Sequence, residues 1–143
     1  RDTMSTAITA SETGHLVFAT LHTTSAVHTI NRIIDSFEGN EQVQIRNMLS
    51  VSLTAVISQA LLPRIGGGRV GIFEILITNP AIANLIREDK VHQLYSQMQL
   101  NKSQSGMITQ TQSMMEALKA NLITKDDATR HSTQLQELLA LMG

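Results

Sequence analysis

Residues 15–21 read His15-Leu16-Val17-Phe18-Ala19-Thr20-Leu21, and His22-Thr23-Thr24-Ser25 follow them. The first stretch is a short apolar run rich in strand formers with no helical stripe, which predicts a strand buried on both faces of a parallel sheet. The second is polar and closes it. Immediately downstream, Ala26, Ile30, Ile33, Ile34 and Phe37 recur at helical spacing, so a helix is expected to pack back on that strand and stop before Gly39. A strand, a polar loop and a returning helix are the unit from which α/β folds are built. Upstream, Met4, Ala7 and Ile8 predict a short helix over residues 3–13, with Gly14 as its C-terminal cap.

Further along, Asn40 is a candidate N-cap for a helix carrying Ile45, Met48, Leu49, Leu53 and Val56 on one face. Residues 57–65 and 69–77 flank Gly66-Gly67-Gly68 and predict a hairpin, because glycines admit the positive φ that a tight reversal needs. From Asn79 onward the pattern is helical. Asn79 and Pro80 supply an N-cap and an N1 proline, and Ile82, Leu85 and Ile86 give the buried stripe. Val91, Leu94, Tyr95 and Met98 form the next amphipathic set, and residues 102–106 a polar loop. Met115, Leu118 and Leu122 line a further helix. Thr124 caps a short one, and Leu135, Leu138, Leu139 and Met142 give the last. The expected division is an α/β part over residues 1–78 and a helical part over residues 79–143.

Composition narrows the function. The chain has 143 residues, 11 Lys plus Arg against 12 Asp plus Glu, and a net charge of −1, so no long-range field draws it to nucleic acid or an anionic membrane. With 0 Cys, thiolate metal sites, disulfides and cysteine nucleophiles are excluded. Its apolar runs fall far short of the ~18 residues that a membrane span requires. The chain opens at Arg1 without a signal-peptide pattern, and a segment upstream of it is expected.

The histidines are the first chemical candidates. His15 and His22 stand at opposite ends of the expected strand, roughly 20 Å apart at ~3.3 Å per residue, so one metal cannot hold both, and no metal site is predicted. His28 falls on the solvent side of its helix. His22 differs, because it lies at the carboxyl end of the strand, where open α/β sheets place ligands, among hydroxyl donors that suit an anion. Gly66-Gly67-Gly68-Arg69 is not a phosphate loop, since neither a Lys-Ser/Thr pair nor a following helix accompanies it. No Ser-His-Asp order, paired-carboxylate motif or base-stacking platform can be assembled from the remainder.

Three stretches read together resemble a known family. Residues 13–26, TGHLVFATLHTTSA, look like the histidine box of the secretion and pilus motor ATPases. Residues 66–74, GGGRVGIFE, resemble the hairpin of the same proteins. Residues 81–90, AIANLIREDK, are similar to the motif that marks their retraction branch, the PilT family of type IV pilus retraction motors. Assembly motors of the family usually carry four cysteines where this chain runs from Leu62 to Arg69, and their absence favours retraction.

The resemblance implies the C-terminal part of a RecA-like P-loop NTPase core followed by helices, within a cytoplasmic hexameric ATPase. It implies that His22, with Thr23, contacts the γ-phosphate of ATP and that His15 supports the box. Asn84, Leu85, Ile86, Arg87 and Glu88 would couple hydrolysis to pilus disassembly; Ala83 stands where the family motif has arginine. It further implies ATP and Mg²⁺ as cofactors of the longer protein, with neither bound by these residues alone. A pilus platform protein would hold the motor at the inner membrane. The family's Walker A lysine and Walker B glutamate precede the histidine box and do not occur in this chain, which is therefore expected to be inactive by itself. An alternative is a non-hydrolysing oligomerisation or docking module of the same machinery.

Overall fold

The computed structural model describes residues 2–100 and 102–143. Its helices and strands are α1 (Asp2–Glu12), α2 (Ala26–Asp35), α3 (Gly39–Ser52), β1 (Ala55–Pro63), β2 (Arg69–Ile77), α4 (Pro80–Arg87), α5 (Leu94–Met98), α6 (Lys102–Ser105), α7 (Gln110–Lys119), α8 (Lys125–His131) and α9 (Leu135–Met142), with a 3₁₀ turn at Val91–Gln93.

The hairpin is the spine. β1 and β2 pair antiparallel from Ala55↔Ile77 to Pro63↔Arg69, as the glycine-centred pattern predicts. Gly66, Gly67 and Gly68 sit at φ of 91°, 119° and 76°, a left-handed run that residues with a Cβ enter only at a cost. The turn is tied by Gly67 N–H to the Arg64 carbonyl at 3.1 Å and Arg64 N–H to the Gly68 carbonyl at 3.0 Å. On the inward face, Val56 and Leu76 enter a core built with α1, α2, α3 and α4, including Ile30, Ile34, Ile82 and Ile86. At the other end Leu62 and Ile72 enter a second core with Met114 and Ala117 of α7, Ala128 and Leu138. Residues 107–109 run beside β2, exchanging two hydrogen bonds between Ile75 and Ile108.

Local chemistry explains the helix ends. The Asn79 carboxamide accepts from Ile82 N–H at 2.8 Å and Pro80 opens α4. Thr124 accepts from Asp127 N–H at 3.1 Å at the start of α8. Three helices end alike. Gly14, Asp89 and Asn121 take φ of 95°, 59° and 56°. After them His15, Lys90 and Leu122 donate backwards to the carbonyls of Ala10, Leu85 and Ala117, the six-to-one bond that closes a helix by a left-handed residue.

Several expectations fail. Residues 15–21 form no strand: the described sheet is the two-stranded hairpin, nothing in it pairs with them, and a segment without a ladder neighbour leaves its backbone groups to water. Leu16 and Phe18 are accordingly 79% and 89% exposed instead of buried. Asn40 is not the cap of α3; Glu38 is, with the Glu41 carboxylate accepting from Glu38 N–H at 3.1 Å. Val56 belongs to β1 and residues 102–105 form a helical turn; α7 buries Thr111, Met114 and Ala117, with the expected Met115, Leu118 and Leu122 half-buried against the same core.

The Asn79 cap gives a stability test. Replacing Asn79 by Ala should lower the unfolding free energy by about 1 kcal/mol, and Asn79→Asp by only a few tenths, as read from urea midpoints.

Candidate functional site

α2 carries the histidine-box loop at its front end, so the loop is only as fixed as the start of that helix. Ser25 caps it, its hydroxyl accepting from His28 N–H at 3.1 Å and its carbonyl from Thr29 N–H at 3.0 Å. The N–H of Ala26, the first helical residue, goes elsewhere: it donates to Glu74 Oε2 of β2 at 2.7 Å. Glu74 points inward between Ile72 and Leu76 and is 2% exposed. Its other oxygen accepts at 3.2 Å from the N–H of Gln110, the first residue of α7. One buried carboxylate thus closes the N-termini of two helices, each worth roughly half a positive charge, so its own charge is matched without a basic side chain. Charge-assisted bonds of this kind contribute about 1.5–3 kcal/mol each.

The chain of contacts continues from Gln110. Its side-chain carbonyl accepts from Thr133 N–H at 2.8 Å and from the Thr133 hydroxyl at 3.0 Å, and its amide donates to the His131 carbonyl at 3.2 Å. These bonds hold the junction between α8 and α9. Two clefts, of about 160 and 290 Å³, open on either side, with Glu74 and Thr133 lining both. Thr23, Thr24, Gln110 and His131 complete much of the smaller one; His28, His92 and Tyr95 line the larger.

Each residue singled out in the sequence has a definite place. His22 is exposed and has no hydrogen bond among the described residues. Thr23 is half-buried and its hydroxyl lies 2.5 Å from that of Thr29. Thr29 donates its one hydroxyl hydrogen to the Ser25 carbonyl at 2.8 Å, so Thr23 is the donor in the pair. His15 sits apart, at the end of α1, its Nδ1 3.2 Å from the Thr13 hydroxyl and 3.3 Å from the Ala10 carbonyl. His28 is exposed, as its helix face predicts. Among the described residues no three His, Cys, Asp or Glu side chains converge to hold a metal ion.

The segment of residues 84–88 is divided. Ile86 is fully buried and Leu85 half-buried in the first core, whereas Asn84, Arg87 and Glu88 face solvent. Arg87 Nη1 donates to Asn84 Oδ1 at 3.3 Å, and Glu88 pairs with Lys90 at 3.2 Å. Ala83 is half-buried on the same helix.

Sequence reading took Glu74 only as the end of the hairpin motif and Tyr95 only as part of an amphipathic set, and did not reach Gln110. The alternation Ile72, Glu74, Leu76 was the available signal for the first, since it sets a carboxylate on a core-facing position. Tyr95 has no such signal: its hydroxyl donates to Glu137 of α9, and Gln99 Nε2 reaches the second Glu137 oxygen at 3.0 Å, pinning α9 to α5.

Comparison with known proteins places this geometry. The family model described as "Type II/IV secretion system protein" matches residues 1–67. The Type IV pilus retractation ATPase PilT of Pseudomonas aeruginosa is 52% identical over 127 residues, covering 89% of this chain and 37% of that protein. A twitching motility protein of Neisseria gonorrhoeae is 49% identical over 138 residues, covering 96% of this chain and 37% of its own. The crystal structure of the pilus retraction motor PilT with bound ADP superposes with a TM-score of 0.89 at 50% identity, over 97% of this chain and 38% of that one. The chain therefore spans a little over a third of the length of these relatives, and its fold is that of the C-terminal part of a P-loop ATPase of this kind.

The single tyrosine offers a direct readout of the α5–α9 contact. Burial, and then its bond to Glu137, push the Tyr95 hydroxyl up to about 12 from the ordinary 10.0. Because the raised value belongs to the folded state, this contact's stabilisation is complete below pH 10 and fades as the pH climbs from 10 to 12. Absorbance at the tyrosinate band should titrate with a midpoint near 12 in the folded protein. Glu137→Gln should bring that midpoint down.

Proposed function

Because the chain matches the C-terminal part of the PilT-family ATPases in sequence and in structure, we propose that it works within a type IV pilus retraction motor. In this reading residues 1–78 are part of the ATPase core and residues 79–143 its helical region. The observation that carries it is the open front of α2: His22 is exposed, without a hydrogen-bond partner among the described residues, at the end of an apolar segment.

The role of each residue follows from what its atoms are free to do. His22 offers imidazole N–H groups to a γ-phosphate oxygen, and a protonated ring would strengthen that contact as negative charge develops. Thr23, its hydroxyl hydrogen engaged by Thr29, holds the loop's shape beside it. At the start of α2, Glu74 takes the N–H of Ala26, and Ser25 takes those of His28 and Thr29. His15 steadies the other end of the segment through the last turn of α1. ATP would supply the phosphoryl group and Mg²⁺ its charge neutralisation; no described carboxylate cluster is placed to hold that ion.

On α4 the exposed Asn84, Arg87 and Glu88 are the atoms available for coupling, while Leu85 and Ile86 anchor the helix that presents them. Hexameric assembly and docking on an inner-membrane platform from the cytoplasmic side complete the reading. Among the described residues no helix is long and apolar enough to cross a membrane.

Two measurements test this. In the intact motor, His22→Ala should reduce kcat for ATP hydrolysis by roughly 10²-fold, the usual effect of deleting one donor to developing charge. Unchanged turnover would remove His22 from the site. The 143-residue chain alone should give no magnesium-dependent phosphate release, since it contains no Walker A lysine.

A further inference from the structure

The residues that touch Glu74 come from both ends of the molecule. Ala26 opens the helix that follows His22 and Thr23, and Gln110 opens the helix 36 residues downstream of Glu74. Gln110 also grips Thr133 and His131 between α8 and α9. Ala26 is fully buried and Gln110 is 6% exposed, while Glu74 itself borders the two clefts. We infer that Glu74 is a positioning residue for the histidine box: its two carboxylate oxygens lock the start of α2 to the start of α7, so the placement of His22 depends on the α7–α9 helices.

The physical argument is one of capacity. A carboxylate offers acceptors on both oxygens and no hydrogen, which is what two converging N–H donors require. A carboxamide cannot replace it, because its NH₂ would face one of the two donors. The hairpin runs through both cores, Val56 and Leu76 packing into one and Leu62 and Ile72 into the other, and Glu74 adds a polar tie from it to the starts of two helices. Glu74 lies between Ile72 and Leu76, opposite Ser58 in the ladder, at the seam of the two cores. A shift of α7 that lengthens the 3.2 Å Gln110 bond must break it or carry Glu74, and with it Ala26, along.

For its effect on catalysis this inference rests on the motor reading; the lock itself does not. Amide hydrogen exchange separates them, with two variants at Gln110. Gln110→Pro removes the N–H and the side chain yet suits the first position of a helix, and Thr109, at φ −85° and ψ 159°, already has the backbone that precedes proline. Gln110→Ala removes only the side chain. We expect Gln110→Pro to speed exchange at Ala26 by roughly 10-fold, and Gln110→Ala to speed it at Thr133 while sparing Ala26. Exchange at Ala26 within about 2-fold of wild type in Gln110→Pro would overturn the lock. In the intact motor, Gln110→Pro and Glu74→Gln should each lower kcat roughly 10-fold with KM for ATP little changed. Unaltered kcat in a wild-type-active motor would overturn the link to His22. A wild-type motor that does not hydrolyse ATP would instead remove the motor reading, and the exchange data would still decide whether the lock exists.

Discussion

A carboxylate that is 2% exposed on the core face of a hairpin imposes conditions on everything around it. Left without partners, its desolvation would exceed what a small domain can tolerate, and surrounding it with apolar side chains would only raise the cost. The structure meets the condition with backbone. Ala26 and Gln110 each point a helix N-terminus at it, at 2.7 and 3.2 Å. This fixes where α2 and α7 must begin, and hence where the histidine-box loop and the α8–α9 junction lie. The two apolar cores sit at the two ends of the one β1–β2 ladder, and the charge between them ties the starts of α2 and α7 to it.

Where the sequence was legible, a short-range cause was present. The Asn79-Pro80 pair and Thr124 place helix starts because their side chains and rings act within three residues, and the glycine triplet places a turn because left-handed φ is a local cost. The residues of α2 that face inward follow directly from their 3.6 spacing. The cap of α3 was misplaced by two residues within its own turn, whereas the larger failures came where the outcome depends on a distant partner. Residues 15–21 have the composition of a buried strand, but a strand is defined by the neighbours it bonds to. Glu74 was visible only as the last letter of a hairpin motif, and nothing near it in sequence names Ala26, 48 residues before it, as its partner.

The retraction motif on α4 shows the same division at finer scale. Read as a string, residues 84–88 are one element; in the structure they are a core stripe and a surface set alternating along one helix. Its end is set by Asp89, which accepts a left-handed φ of 59° to close the helix and meets Arg46 of α3 at 3.2 Å. That contact is an ion pair without the alignment of a hydrogen bond, since Arg46 Nε is left without a hydrogen-bond acceptor. Its partner is 70% exposed, so screening holds its contribution to the low end of surface pairs, and the Schellman bonds are the firmer constraint on where Arg87 and Glu88 stand.

At the front of α2 the hydroxyl groups can be counted hydrogen by hydrogen. Thr29 has one, given to the Ser25 carbonyl; Thr23 has one, given to Thr29; the Ser25 oxygen is already accepting from His28 N–H. Thr23 and Thr29 therefore have no hydroxyl hydrogen free, because both are spent in shaping the turn that starts the helix. Glu74 takes the Ala26 N–H, which Ser25 does not reach. An anion arriving at this surface would meet the imidazole of His22 before any hydroxyl of Thr23 or Thr29, and a histidine, unlike a threonine, can add a second hydrogen as the charge it faces grows.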